Sequence, residues 1–298
     1  MITVLGSVNL DLIGRLERIP RPGETVPGTD FSTAPGGKGA NQALAARRAG
    51  ARVRMVGAAG EDAMGDQALA LLRAGGVELR DVRRVATAQG VAMIFVDRDG
   101  ENVIGILPGA NGNVGPDDAE IALSGLGETD VLVLQQEIPQ EATMRALALA
   151  QLQGVTSILN TAPYLRTTAA VAGTASIVVA NETEFALLAG NEPADLAASM
   201  AQWARSRRQT IIITLGGEGA LAATRDGQAI SVPALPITPI DTVGAGDTFV
   251  GYLAAGLDAG LSLEPAMRRA ATAASLACLK PGAQPSIPMA SEVDAALS

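Results

Sequence analysis

The stretch Asp241-Thr242-Val243-Gly244-Ala245-Gly246-Asp247-Thr248-Phe249 carries most of what can be read about this chain. Prolines at 233, 236 and 239 precede it, and the apolar run Phe249–Ala255 follows. Two glycines just ahead of an apolar-periodic run predict a tight turn that opens a helix. Such a turn presents unpaired backbone N–H groups at the positive end of the helix dipole, where an anion binds. Asp247 is then a carboxylate set where an anion is expected. One account is a helix-capping acid. The other is a group that takes the proton from a hydroxyl attacking a bound phosphate, with Gly244, Ala245 and Gly246 as the anion hole.

Composition narrows the remaining possibilities. The 298 residues carry a net charge of −9, which leaves no basic stripe for nucleic acid. Any phosphate site must therefore rely on helix ends, a metal and a few cations. The two lysines, Lys38 and Lys280, both stand beside glycine-containing motifs. No histidine occurs, which excludes Ser-His-Asp catalysis and His-ligated zinc. The single cysteine, Cys278, excludes an internal disulfide and reads as a buried bystander. Met1–Gly6 reads as a strand and not a signal peptide, and no apolar run reaches the ~18 residues of a membrane span. The expectation is a cytoplasmic protein that binds neither nucleic acid nor membrane.

Along the chain, a strand at 2–6 is followed by alternating stretches at 7–16 and 29–34. After the loop 35–41 come a helix at 42–49, a strand at 53–58 and a helix at 64–74. Strands are predicted at 90–96 and 102–107 around the turn at 97–100. From Pro116 on, strands at 130–134, 156–159, 177–179 and 210–215 alternate with helices at 139–152, 183–189 and 194–207. That alternation predicts a mainly parallel sheet covered on both faces. A hairpin at 220–223 and 229–232 closes the sheet edge, and helices follow at 246–258, 264–279 and 290–297. The half-polar strands of roughly 11–34 and 90–107 suit a separate small sheet, a β lid on a single domain spanning 1–298. Its exposed apolar face would be covered by a second copy of the chain.

The common nucleotide loops are absent: Ala34 stands where a P-loop would have its first glycine, and no strand is followed by G-x-G-x-x-G. Seven other stretches occur in order. They are Gly6–Asp11, Pro35-Gly36-Gly37-Lys38-Gly39-Ala40-Asn41-Gln42-Ala43, Gly100–Asn111, Asn181-Glu182-Thr183-Glu184, Thr214–Gly219, Asp241–Phe249 and Gly282–Ser286. Together they resemble the ribokinase-like (PfkB) sugar kinases over nearly the whole chain. The resemblance implies a three-layer α/β/α fold with a mainly parallel central sheet and a small β-sheet lid. It also implies transfer of the γ-phosphoryl of Mg·ATP to a sugar hydroxyl, D-ribose first among the acceptors.

By the same resemblance, Asn9, Asp11, Gly37, Lys38, Asn41 and Glu137 contact the sugar, although a solvent-facing strand, a plain turn and a capping acid would also account for them. Asn181, Thr214, Gly216, Gly217, Gly219 and Gly246 would face the nucleotide, and Glu184 would position hydrated Mg²⁺. Capping at 181–184 and a tight hairpin at 214–219 are the plainer accounts. Asp241, Val243, Ala277, Lys280, Gly282 and Ser286 would hold K⁺ or a similar monovalent cation. The pattern departs from its relatives at Thr161 and Ala271, which leaves the fine preference for sugar and nucleotide open. Rival readings are a related kinase acting on fructose, deoxyribose, a keto-sugar acid or a nucleoside, and a non-catalytic sugar or nucleotide sensor.

Overall fold

Apolar strands separated by helices dictate a buried parallel sheet, and the computed structural model, which describes residues 1–298, contains one. The N-terminal elements are β1 (Ile2–Leu5), β2 (Asn9–Leu16), β3 (Gly28–Gly36), α1 (Lys38–Arg48), β4 (Val53–Gly60), α2 (Ala63–Ala68), α3 (Ala70–Ala74), β5 (Glu78–Val85), β6 (Val91–Val96) and β7 (Asn102–Leu107). The middle of the chain forms α4 (Pro116–Leu123), β8 (Val131–Leu134), α5 (Gln140–Gln153), β9 (Thr156–Asn160), α6 (Thr168–Ala172), β10 (Ile177–Asn181), α7 (Glu182–Ala189), α8 (Leu196–Arg207) and β11 (Thr210–Thr214). It ends in β12 (Ala220–Ala223), β13 (Ala229–Val232), α9 (Ala245–Asp258), α10 (Leu263–Ala277), α11 (Ala283–Ser286) and α12 (Ala290–Leu297).

Nine strands form the central sheet in the order β13-β12-β11-β10-β9-β8-β1-β4-β5. Pairing is parallel from β5 to β11 and antiparallel through the β12–β13 hairpin. Side-chain alternation divides the interior into two cores. On β8, Val131 and Val133 face α1, α9 and α10, while Leu132 and Leu134 face α4, α5 and α8. Helices thus cover both faces, as the strand–helix alternation predicts.

A second sheet, in the order β3-β2-β6-β7, contains the early alternating strands. Its inner pair, β2 and β6, runs parallel, and the two outer pairs are antiparallel. Strand β7 is exposed along its whole length, with apolar Val103 and Leu107 on one face and Ile104 and Ile106 on the other.

Three sequence expectations need correction. Helix α1 starts at Lys38 rather than at 42, because Gly37 takes φ 89° and caps it, so Lys38–Asn41 form its first turn. The helix expected at 64–74 is two short helices that meet at Leu69. Strand β5 went unread because Glu78-Leu79-Arg80-Asp81-Val82-Arg83-Arg84-Val85 has no apolar alternation. It is an edge strand, and Arg83 reaches Asp118 on α4 with two hydrogen bonds of 2.7 and 2.8 Å.

Candidate active site

Helices α1 and α9 pack closely because α9 carries glycine at 251. A Cβ there would lie 2.5 Å from Ala45 Cβ and 2.6 Å from the Gln42 carbonyl oxygen. Asp247 stands one turn earlier on the same face of α9. The close approach therefore brings α1 side chains onto its carboxylate. Asn41 Nδ2 donates to Asp247 Oδ2 at 2.9 Å, and Gln42 Nε2 donates to Oδ1 at 2.8 Å. Asp247 is 7% exposed, so this is an oriented carboxylate at the edge of the interior.

Gly244 takes φ 78° and starts α9. Within the turn, Ala245 N donates to Thr242 O at 3.3 Å, whereas the N–H groups of Gly244, Gly246 and Asp247 have no acceptor in the chain. The open donors are thus those of 244, 246 and 247, one step away from the expected 244–246 set. A Cβ on Gly244 would also lie 2.9 Å from Ala283, so the turn leans on the start of α11.

The residues expected at the sugar converge beside this carboxylate. Glu137 Oε2 accepts from Ser7 Oγ at 2.6 Å and from Lys38 N at 3.0 Å. Asn9 Oδ1 accepts from Asn111 Nδ2 at 2.7 Å, and Asn111 Oδ1 in turn accepts from Val8 N. Gly37 lies against the backbone of Ser7, Val8 and Asn9, where any side chain would clash. Asp11 sits against Gly36, and burial pushes its carboxyl up to about 7, with the charges of Glu137 and Asp247 adding to the effect and Lys38 opposing it. The Lys38 ammonium is held in its charged form above the usual lysine range, mainly by Asp247 and against its burial. Glu137, Glu184 and Asp11 contribute further.

Lys38 also lines a 220 Å³ cavity with Asp247, Gly244, Gly246, Asn181 and Glu184. Asn181 caps α7 by accepting from Glu184 N at 2.8 Å, and Glu184 Oε2 accepts from Asn181 N and from Thr161 Oγ1. Thr214 and Gly246 border both this cavity and a second one of 310 Å³. The second is floored by Gly216, Gly217 and Gly219 and walled by Leu235, Pro236, Ile237, Phe249 and Ala271. Cys278 also lines it, with its thiol donating to Ala274 O and raised by burial. A narrow polar cavity opening onto a larger apolar one suits a polyphosphate followed by a planar base.

Asp241 lies outside both cavities and links two segments. Its Oδ1 accepts from Val243 N at 3.0 Å and its Oδ2 from Gly282 N at 2.8 Å. Ala277 is buried at the end of α10, and Ser286 Oγ donates to Ala283 O. The Lys280 ammonium turns away to Glu292 on α12.

Sequence reading passed over Ser7, Gln42, Asn111, Gln135 and Asn160. For Gln42 the available signal was its place among small apolar residues, a run buried from Gly39 to Ala46 in which a polar side chain needs a partner.

Comparison with known proteins gives the family. Residues 1–290 match the pfkB family of carbohydrate kinases. The ribokinase of Schizosaccharomyces pombe is 37% identical over 98% of this chain and 96% of its own length. A deoxyribokinase of Salmonella typhi is 36% identical over 100% of this chain and 98% of its own. The structure of Arabidopsis thaliana ribokinase complexed with ribose and ATP superposes with a TM-score of 0.90 at 31% identity, covering 100% of this chain and 98% of that one. The fold and site define an ATP-dependent carbohydrate kinase. The chain belongs to the pfkB family.

Proposed function

We propose that this protein is a ribokinase, transferring the γ-phosphoryl group of Mg·ATP to the 5-hydroxyl of D-ribose. The observation that carries the reading is the position of Asp247, which touches the sugar-side residue Asn41 and lines the polar cavity. Asp247 accepts the hydroxyl proton as the sugar oxygen bonds to phosphorus, and the bond from phosphorus to the β–γ bridging oxygen breaks to release ADP. The N–H groups of Gly244, Gly246 and Asp247, with the Lys38 ammonium, face the charge that spreads over the transferred group. Asn9, Asp11, Gly37, Asn41 and Glu137 hold the sugar. Thr214, Gly216, Gly217 and Gly219 floor the nucleoside.

No group of three or more acidic or cysteine side chains is arranged to hold a metal ion by itself. That suits Mg²⁺ held through ATP oxygens and water, with Glu184 and Asn181 beside it. When bound it would neutralise phosphate charge. A monovalent cation such as K⁺ fits at Asp241, where one carboxylate already joins the 243 and 282 segments and the Lys280 charge is drawn off to Glu292. It would be held by the Asp241 carboxylate and by backbone carbonyl oxygens among Val243, Ala277, Lys280, Gly282 and Ser286. The exposed apolar side chains of β7, with Phe31 and Met93, favour a homodimer through the small sheet, which acts as the lid over the sugar.

Deoxyribose is the second reading, because a deoxyribokinase is as similar as the ribokinases. An ADP-release assay across pentoses, deoxypentoses, hexoses and nucleosides tests both. Ribose is expected to give the highest kcat/KM; a higher value for deoxyribose would replace the first reading, and no turnover with any sugar would end both.

A further inference from the structure

Gln42 is fully buried and belongs to neither cavity, and three hydrogen bonds fix its amide, one of them on the base. Its Nε2 donates to Asp247 Oδ1 at 2.8 Å and to Asn160 Oδ1 at 3.2 Å. Its Oε1 accepts from Gln135 Nε2 at 2.6 Å. The orientation of this amide follows from chemistry. A carboxylate only accepts, so the nitrogen of Gln42 must face Asp247. Asn160 is turned the same way because its own Nδ2 donates to Val179 O. Rotating the Gln42 amide by half a turn would set oxygen against the Asp247 carboxylate and nitrogen against the Gln135 nitrogen.

We infer that Gln42 is a positioning residue for Asp247, locking one carboxylate oxygen so that the other meets the sugar hydroxyl, and tuning how readily that carboxylate takes a proton. Asn41 and Gln42 lie side by side on α1 and hold one oxygen each, so the carboxylate plane is clamped about its long axis. Asn41 does this from the sugar side and shares its job with the substrate. Gln42 does it from the interior, anchored through Gln135 on the segment after β8 and Asn160 at the end of β9. A donor on Oδ1 stabilises the ionised carboxylate, the form that accepts the proton.

This inference rests on the reading of Asp247 as the base, and its test separates the two. Charged groups around Asp247 are Lys38 on α1, Asp11 on β2, Glu137 after β8 and Glu184 on α7. Asp11 itself titrates near neutrality, so the informative quantity is kcat at saturating sugar, where Asp11 is already engaged. Gln42→Met keeps the volume and removes the donor. Its kcat is expected to fall about ten- to a hundredfold, with the acidic limb of the kcat–pH profile moved up by about one to two pH units and the sugar Kd from calorimetry within about threefold of the parent. Gln42→Glu keeps the shape and the Gln135 contact. It sets two carboxyl oxygens face to face, so its limb should move further still, and this second variant decides the matter if the first does not fold.

An unmoved acidic limb in either folded variant overturns the inference, even if kcat is lower, because packing damage alone would not shift it. Asp247→Asn is measured alongside. Retained turnover there removes the base and the inference with it. Lost turnover there, beside an unmoved limb in the Gln42 variants, removes the inference alone.

Discussion

Gly251→Ala offers a sharp test of how the site is built, because two effects predict opposite signs. An alanine in place of glycine inside an exposed helix gains about 0.5–1 kcal/mol from the entropy of the unfolded chain. Here the new Cβ would sit 2.6 Å from the Gln42 carbonyl and 2.5 Å from Ala45 Cβ, about 0.8 Å short of ordinary contact on a backbone atom that cannot rotate away. The helices must part by roughly that distance, and such overpacking costs about 1–3 kcal/mol. The expected net result is a lower Tm. The functional effect should be larger. Asn41 and Gln42 now reach Asp247 at 2.9 and 2.8 Å, and a further ~0.8 Å takes both beyond hydrogen-bonding distance. A displacement near 1 Å at a reacting group costs up to about a hundredfold in rate. Thermal unfolding by calorimetry and kcat with saturating sugar and Mg·ATP measure the two consequences. A Tm at or above that of the parent with unchanged kcat would refute the claim that the α1–α9 approach sets the site.

Other consequences are equally open to measurement. Asp11 carries a carboxyl raised to about 7, so it is protonated in the free protein at pH 6 and ionised at pH 8. Sugar hydroxyls donate to the ionised form, so sugar KM should fall as pH rises through about 7 and level off above it, a trend that Asp11→Asn abolishes; a flat KM between pH 6 and 8 in the parent would contradict this. Because the raised group resists ionisation in the fold, its contribution lowers stability as pH climbs from the unfolded value of 3.8 towards about 7, so Asp11→Asn should gain in Tm relative to the parent at pH 8 more than at pH 5. Asp241→Ala releases Val243 and Gly282 together, and kcat should drop severalfold with loss of any difference between K⁺ and a bulky organic cation; a cation response that persists would move that site elsewhere. Ile104→Asp on β7 should turn a dimer into a monomer by light scattering, and an unchanged mass would place self-association off the small sheet.

Much of the layout is legible because it rests on local patterns. Strand–helix alternation from Pro116 onward specifies the parallel sheet, and the half-polar strands near 11–34 and 90–107 separate out as the second sheet. Gly244 and Gly246 before Phe249 mark the helix start, whereas the positive φ of Gly37, which begins α1 four residues earlier than the apolar run suggests, is visible only in the fold. Contacts between distant segments are harder to see. Gln42 looks like one more helix former among alanines until Asp247, 205 residues later, is brought against it. Ser7 and Glu137 meet across 130 residues, and neither carries a pattern of its own. Gly251 reads as a mild flaw in a helix, whereas its missing side chain is what lets α1 approach. Strand β5 was missed for the opposite reason: pairing with one neighbour only, it needs no apolar alternation.

That charged strand has a consequence for the life of the protein in a crowded solution. A nine-stranded sheet ends in two rows of unpaired backbone groups, each able to recruit a stray strand from another chain. At one end stands β13, only four residues long. At the other, β5 surrounds its open edge with Glu78, Arg80, Asp81, Arg83 and Arg84, so an incoming strand would have to strip water from several charges before pairing. The segment that looks least like a strand is thereby a guard against amyloid-like growth.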